Sequence, residues 1–319
     1  MVVSERQVRV CIPHYFREDG GDLRYGSGQP GSQLARSLAL GRCLAALLDL
    51  QNCRVDAQLA IGHRAIEPFQ SQTEGDTAAN VRLEIHVCSD GRHQLDGVLH
   101  HFRQHIHYHR VELEDPRQLA LAARDLLLQH HEPADLNLYL EDDLVISDRD
   151  YLEKMIWFLD HCQHRMVLMP HRYERLDQDG IGALLVDGPL RPEFISQFTT
   201  PRRQVLQGRW RQGPTIQFDV TSNPHSGSFC LSRAQVELLQ GVELPRHGFI
   251  GPMETAATLT VLAHFPVLKP APEQWRFLAV EHGHPSFRDL WQYRDHSSHQ
   301  PSPSDQKVSN KKRIQFFST

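Results

Sequence analysis

The chain has 319 residues, 40% hydrophobic and 23% charged, with a formal net charge of -5. This composition predicts a soluble globular protein large enough for one large domain or two small ones. It provides no overall positive charge for nucleic acid, and no stretch reaches the roughly 18 apolar residues needed to cross a bilayer.

The start, "MVVSERQVRV", enters a strand directly. It lacks a charged segment followed by an apolar one, so no secretory signal and a cytoplasmic location are expected. Six cysteines without CxxC spacing agree, as reduced and mostly buried thiols. "QVRVCIPHYF" (7–16) reads as a β-branched strand stopped by Pro13. A Gly-rich loop follows (17–33), then an amphipathic helix, "LARSLALGRCLAALLDL" (34–50). Residues 53–62 read as a strand and 63–80 as a polar loop. "VRLEIHVCSDG" (81–91) is a strand ending at Ser89, Asp90 and Gly91. "HIHYHRVEL" (105–113) alternates as a surface strand. Its histidines spread over about 14 Å, too far for one zinc ion without help from other segments. Residues 115–131 form a helix with Pro116 in its first turn. "LNLYLEDDLVIS" (136–147) is an apolar strand, 148–162 a helix and 165–170 a short strand. Residues 171–222 are less regular. Residues 226–241 run from a strand into a helix, 251–265 form a helix, and 275–287 a strand entering a histidine-bearing loop. The tail, 294–319, is polar and Pro/Ser-bearing, which predicts disorder.

Strand and helix alternate over residues 1–170, the pattern of an α/β layer with a mainly parallel sheet. The strand at 136 ends in Glu141, Asp142 and Asp143. Alternation along a strand puts Glu141 and Asp143 on one face, about 7 Å apart. At the C-terminal end of a strand in an α/β sheet they open onto the usual ligand crevice. Carboxylates crowded there share a proton or bind a cation. Helix capping does not explain them, because Ser147 or Asp148 sits closer to the next helix.

An apolar strand ending in E/D-x-D between helices resembles the GT-A type nucleotide-sugar glycosyltransferases. "YLEDDLVISDRDYLEKM" is similar to the EDD segment of the N-acetylglucosaminyltransferase I type. The resemblance implies a GT-A-like three-layer α/β/α domain over 1–293, with a nucleotide-binding half (1–147) and an acceptor half (148–293). It also implies a hexosyl- or N-acetylhexosaminyltransferase that takes a nucleoside-diphosphate sugar, with a glycan, lipid or protein acceptor. Asp143 would hold a divalent ion, Mn²⁺ or Mg²⁺, joined by His282 or His284 of "VEHGHPSF". Glu141, Asp142, Asp90 and Pro13 would contact the donor. Glu254 of "GPMETAAT" would be the catalytic base that deprotonates the acceptor. "SGSFCLSRAQVELL" resembles the acceptor-side segment of the family, and Asp219 and His225 flank that side. Arg17 and Arg24 of the Gly-rich loop are further phosphate candidates. Two other classes share such a sheet: a sugar-nucleotide pyrophosphorylase and a non-catalytic nucleotide- or carbohydrate-binding relative. The first needs a lysine near the first strand, and no lysine precedes Lys154.

Overall fold

In the computed structural model the described residues are 5–18, 30–51, 55–70, 81–178, 181–284 and 287. Arg24, Cys53, most of the Gly-rich loop and the 294–319 tail lie outside them. In chain order the structure runs β1 (Arg6–Pro13), α1 (Gln33–Leu48), β2 (Val55–Ala60), β3 (Ala65–Gln70), β4 (Val81–Ser89), α2 (Asp96–His101) and β5 (Ile106–Arg110). Next come α3 (Leu119–Leu128), β6 (Leu136–Leu140), β7 (Leu144–Val145), α4 (Tyr151–His161), β8 (Val167–Leu168), β9 (His171–Gln178) and β10 (Ile181–Leu185). After α5 (Pro192–Ile195) follow β11 (Arg202–Arg209), β12 (Thr215–Val220), β13 (Ser228–Ser232), α6 (Arg233–Leu239) and α7 (Pro252–Glu254). The chain continues with α8 (Thr260–Leu262), β14 (Val267–Pro270) and β15 (Ala279–His282).

The central sheet has the order β13-β6-β1-β4-β5. β1 is parallel to β4 and β6, and β5 is parallel to β4; β13 runs antiparallel to β6. This is the mixed, mainly parallel α/β sheet that the sequence predicts. Period-2 alternation divides the sheet's side chains between two cores. Val8, Val10, Ile12, Leu136, Leu138 and Leu140 face one core, together with α1 and α4. Cys11, Tyr139, Phe229 and Leu231 face the other, together with α3 and α6. Helices therefore cover both faces, giving three layers. α1 joins its core through Arg36, Ala39, Leu40, Cys43, Leu44 and Leu47, the i, i+3, i+4 stripe of an amphipathic helix.

Two smaller sheets complete the fold. One has the order β10-β9-β15-β7, the other β11-β12-β14-β8. β7 begins directly after the acidic segment, and β15 lies antiparallel to it, with His282 opposite Leu144. That register carries a residue more than 130 positions away to the side of Asp143.

Three sequence expectations need correction. Residues 63–80 are not all loop, because β3 pairs with β2 as a hairpin. Residues 171–222 hold four strands, two antiparallel hairpins β9–β10 and β11–β12, whose charged and polar side chains break up the apolar pattern. The helix over 251–265 is interrupted by a π turn at Thr255–Leu259, where the Thr260 hydroxyl bonds the Thr255 carbonyl. The histidines of β5 also gain a neighbour. His86 of β4 stacks between His107 and His109, and its Nδ1 lies 2.8 Å from His109 Nε2. Burial, with His109 and His107 beside it, pushes the His86 pKa down to about 4.

Candidate functional site

β6 ends at Leu140, and Glu141 to Asp143 form a tight turn before β7, with the Leu144 N–H donating to the Glu141 carbonyl. The strand alternation does not continue through the turn, so it does not set where the three acids point. That corrects the expectation that Glu141 and Asp143 stand as a pair on one strand face. Asp142 and Asp143 are instead joined by Arg36, whose Nη2 donates to Asp142 Oδ1 at 2.6 Å and Nη1 to Asp143 Oδ2 at 2.7 Å. α1 delivers Arg36 by lying directly over the turn, where the Cys43 thiol also reaches the Glu141 carbonyl.

His14, just past the end of β1, bridges the turn to the next loop. Its Nε2 accepts from the Leu95 N–H at 3.0 Å, so its Nδ1 carries the proton donated to Asp142 Oδ2 at 2.7 Å. Both oxygens of Asp142 are thus engaged. Glu141 faces Arg172 of β9, 3.6 Å away. Gly227, at φ +62, lets the backbone pass close to it, since a Cβ there would lie 2.5 Å from Glu141 Oε2.

His282 is held from both sides. Its Nδ1 sits 2.7 Å from Glu174 Oε1 and its Nε2 3.5 Å from Asp143 Oδ2. Burial opposes its charge, but Asp143 and Glu174 outweigh that and raise its pKa to about 9. Burial would also raise Asp143, but His282 and Arg36 hold it well below the usual carboxylate range. Glu141 goes the other way: burial pushes it up to about 8, opposed by Arg172 and reinforced by Asp143 and Glu254. Glu254, in the first turn of α7, is likewise raised by burial. His284 sits within the field of Arg36 and Asp143, and burial lowers its pKa.

These shifts fix the alkaline behaviour of the fold. His282 is protonated in the folded state up to about 9, against 6.5 as an ordinary histidine. Its contribution to stability is complete below 6.5 and disappears as pH rises through 9. Glu141 stays protonated in the folded state up to about 8, against 4.5 as an ordinary glutamate. Its contribution also decreases as pH rises toward 8. Both signs agree between pH 6.5 and about 8, with His282 continuing alone to about 9, so the melting temperature is expected to drop across that window. Replacing both residues by Gln should flatten the drop, and calorimetry at stepped pH measures it.

Beside Glu141 lies a second buried charge group. Arg172 holds Asp187 Oδ1 through Nε at 3.0 Å and Nη2 at 2.7 Å. Lys269 of β14 reaches Asp187 Oδ2 at 3.2 Å and donates to the His225 carbonyl. His225 Nδ1 lies 2.7 Å from the Thr258 hydroxyl in the π turn. The site therefore extends from α1 through the acidic turn to β9, β14 and the helix bearing Glu254.

The structure brings Glu141, Asp142, Asp143, Glu254, His282 and His284 into one electrostatic neighbourhood, with His225 adjoining. Asp90 lies at the end of β4, but its carboxylate accepts from the Arg92 and His93 N–H groups and pairs with the His93 ring. Pro13 ends β1 beside Cys88. Asp219 does not join the cluster; it pairs with Arg203 and accepts from the Gln204 N–H. Arg17 is an exposed residue beyond β1. Sequence reasoning missed His14, Arg36, Arg172, Glu174, Asp187 and Lys269. The scarcity of lysine made a fully buried one at 269 the most available clue.

The divalent ion implied by the resemblance can be tested against this donor set. Asp142 has no oxygen to spare, and Asp143 Oδ2 already faces two cationic groups. His282, with one nitrogen fixed by a carboxylate and the other toward Asp143, has the orientation of a histidine ligand. The guanidinium of Arg36, however, fills the space between the two aspartates. The set does not fit a divalent ion while Arg36 remains there.

No known protein family and no curated protein matches the chain. Among solved structures it is similar to S. aureus TarS 1-349, at 12% identity and a TM-score of 0.40, covering 82% of this chain and 57% of that one. In the complex of TarS 1-349 with UDP-GlcNAc the identity is 12% and the TM-score 0.41, covering 94% of this chain and 63% of that one. GalNAc-T7 with UDP, GalNAc and Mn²⁺ shows 11% identity and a TM-score of 0.43, covering 93% of this chain and 45% of that one. The chain spans less than two thirds of each. Overlaps this loose assign no donor, acceptor or metal to it.

Proposed function

We propose that the chain is a GT-A type glycosyltransferase that moves a sugar from a nucleoside-diphosphate donor to an acceptor hydroxyl. The observation that carries this reading is the acidic turn at the C-terminal ends of parallel β1 and β6, with Glu254 and the Arg172 group gathered around it. That is where an open α/β sheet binds its ligands. Breaking a glycosyl–diphosphate bond puts charge on the leaving phosphate, and buried cations stabilise that charge where water is excluded. Arg36, Arg172 and His282 are the available cations. Glu141 bears on the donor directly and Asp142 through Arg36, with Pro13 and Asp90 at the rim. Glu254, with its raised pKa, accepts the proton of the acceptor hydroxyl.

A thermal-shift screen of nucleotide sugars tests the proposal, because a ligand bound to the folded state raises the melting temperature by mass action. One nucleoside-diphosphate sugar should stabilise the chain and be slowly hydrolysed by it. Asp143→Ala should reduce that hydrolysis by about 100-fold or more. Stabilisation by no nucleotide sugar, or an Asp143→Ala variant as active as the parent, sinks the reading.

A further inference from the structure

We propose that Arg36 is the resident cation of this site: it takes the place between Asp142 and Asp143 that a divalent ion would occupy, and with the start of α1 it receives the phosphates of a nucleoside diphosphate without a metal.

Three observations carry this. First, the guanidinium forms one bond to each aspartate, at 2.6 and 2.7 Å, and is 7% exposed. A planar fork suited to two oxygen partners is held in place by both. Second, each aspartate already has a cationic partner, with Glu174 as a further carboxylate on the other side of His282. Asp142 and Asp143 stand against Arg36 and His282, and His14 takes the last oxygen of Asp142. A pair of carboxylates attracts a divalent ion when its charge is uncompensated. Seating one here would require a buried arginine to leave both partners, which is costly. No group of three or more His, Cys, Asp or Glu side chains converges on a common metal position among the described residues.

Third, donors are left over on the same side of α1. Arg36 Nε is buried and has no hydrogen-bond partner. Ser32 Oγ, four positions earlier on the same helix face, is also buried and unpartnered. Ser32 is the N-cap residue of this 16-residue helix, yet its side chain makes no capping bond, and the first turn carries no acid. The first-turn N–H groups have no partner within the helix. An arginine N–H, a hydroxyl and the first-turn N–H groups of the helix form a donor set for phosphate oxygens, next to the Gly31 N–H that donates to Glu18. Buried donors without an acceptor are rare, and a ligand anion supplies the acceptor they lack.

The phosphate role rests on the glycosyltransferase reading; the exclusion of the metal does not. The full chain, stripped with EDTA, is titrated with Mn²⁺ and followed by electron paramagnetic resonance. UDP, GDP and ADP are titrated calorimetrically in EDTA and in excess Mn²⁺. Mn²⁺ should show no saturable binding, and one diphosphate should bind with a Kd that differs by less than about tenfold between the two buffers. Ser32→Ala, which removes only an unpaired hydroxyl, should weaken that binding by about fivefold, the weight of one hydrogen bond. Stoichiometric Mn²⁺ binding that disappears in Asp143→Asn overturns the inference, as does diphosphate binding that requires Mn²⁺. Unchanged affinity in Ser32→Ala overturns the role of α1. Failure of all three nucleotides in both buffers overturns the transferase reading and the phosphate role together, and the Mn²⁺ titration then still decides which cation the aspartates hold.

Discussion

Asp187→Ala should lower the unfolding free energy by about 3–5 kcal/mol, the cost of removing one partner from a buried ion group. Asp187 has a 2% exposed side chain and accepts two bonds from the Arg172 guanidinium, one from the Arg172 N–H and one from Lys269. Lys269 is 1% exposed, so it cannot turn to water when its partner is gone. Two cations would then face each other, and Glu141, 3.6 Å from Arg172, is kept largely protonated by burial. The exposed Arg211, which pairs with Asp150 and Glu153, provides the contrast. Arg211→Ala should cost less than about 1 kcal/mol. Urea unfolding of the two variants side by side measures the difference. Adding Lys269→Met to Asp187→Ala should recover part of the loss, since it removes one stranded charge. A loss below about 1 kcal/mol for Asp187→Ala would mean that water reaches the group.

The second large effect is on chemistry. Glu254→Gln should reduce kcat by about 10²–10⁴-fold, the contribution of a positioned general base. Donor affinity should stay near that of the parent, because the proposed role concerns the acceptor hydroxyl. Burial raises the pKa of Glu254 above the 4.5 of an ordinary glutamate. The base form is lost on acidification, so the acid limb of the rate profile should lie above that value. The Gln variant should lose this limb. A variant that loses donor binding instead of rate would place Glu254 on the donor side of the site.

The parallel sheet was legible because its strands are buried on both faces and read as apolar runs, as in "VRVCI" and "LNLYL". The amphipathic stripe of α1 was legible for the same reason. The strands over 171–222 were not, since β11 is charged and largely exposed and β9 buries charged residues such as Arg172 and Glu174 where an apolar run would be expected. The acids at 141–143 were found from local pattern, but their partners were not. Arg36, Arg172 and Lys269 lie 105, 31 and 128 positions from Glu141, and only the packing of α1, β9 and β14 makes them neighbours. The alternation rule also failed where it was pressed hardest. It holds for a continuous strand, and this one turns at its first acid. His282 could be suspected from "VEHGH", but its contact with Asp143 follows from the β15–β7 register.

β5 forms one border of the central sheet, with β4 on one side only. A sheet border displays backbone donors and acceptors that can recruit a strand from another molecule. Here the border carries His107, His109 and Arg110 along with an exposed Tyr108, rather than an aliphatic row. A charged residue such as Arg110 on a border strand makes pairing with a further strand less favourable. The stretch whose histidines first suggest a zinc site is thus a polar, charged sheet border, the kind of edge that gives an incoming strand little apolar surface to cover.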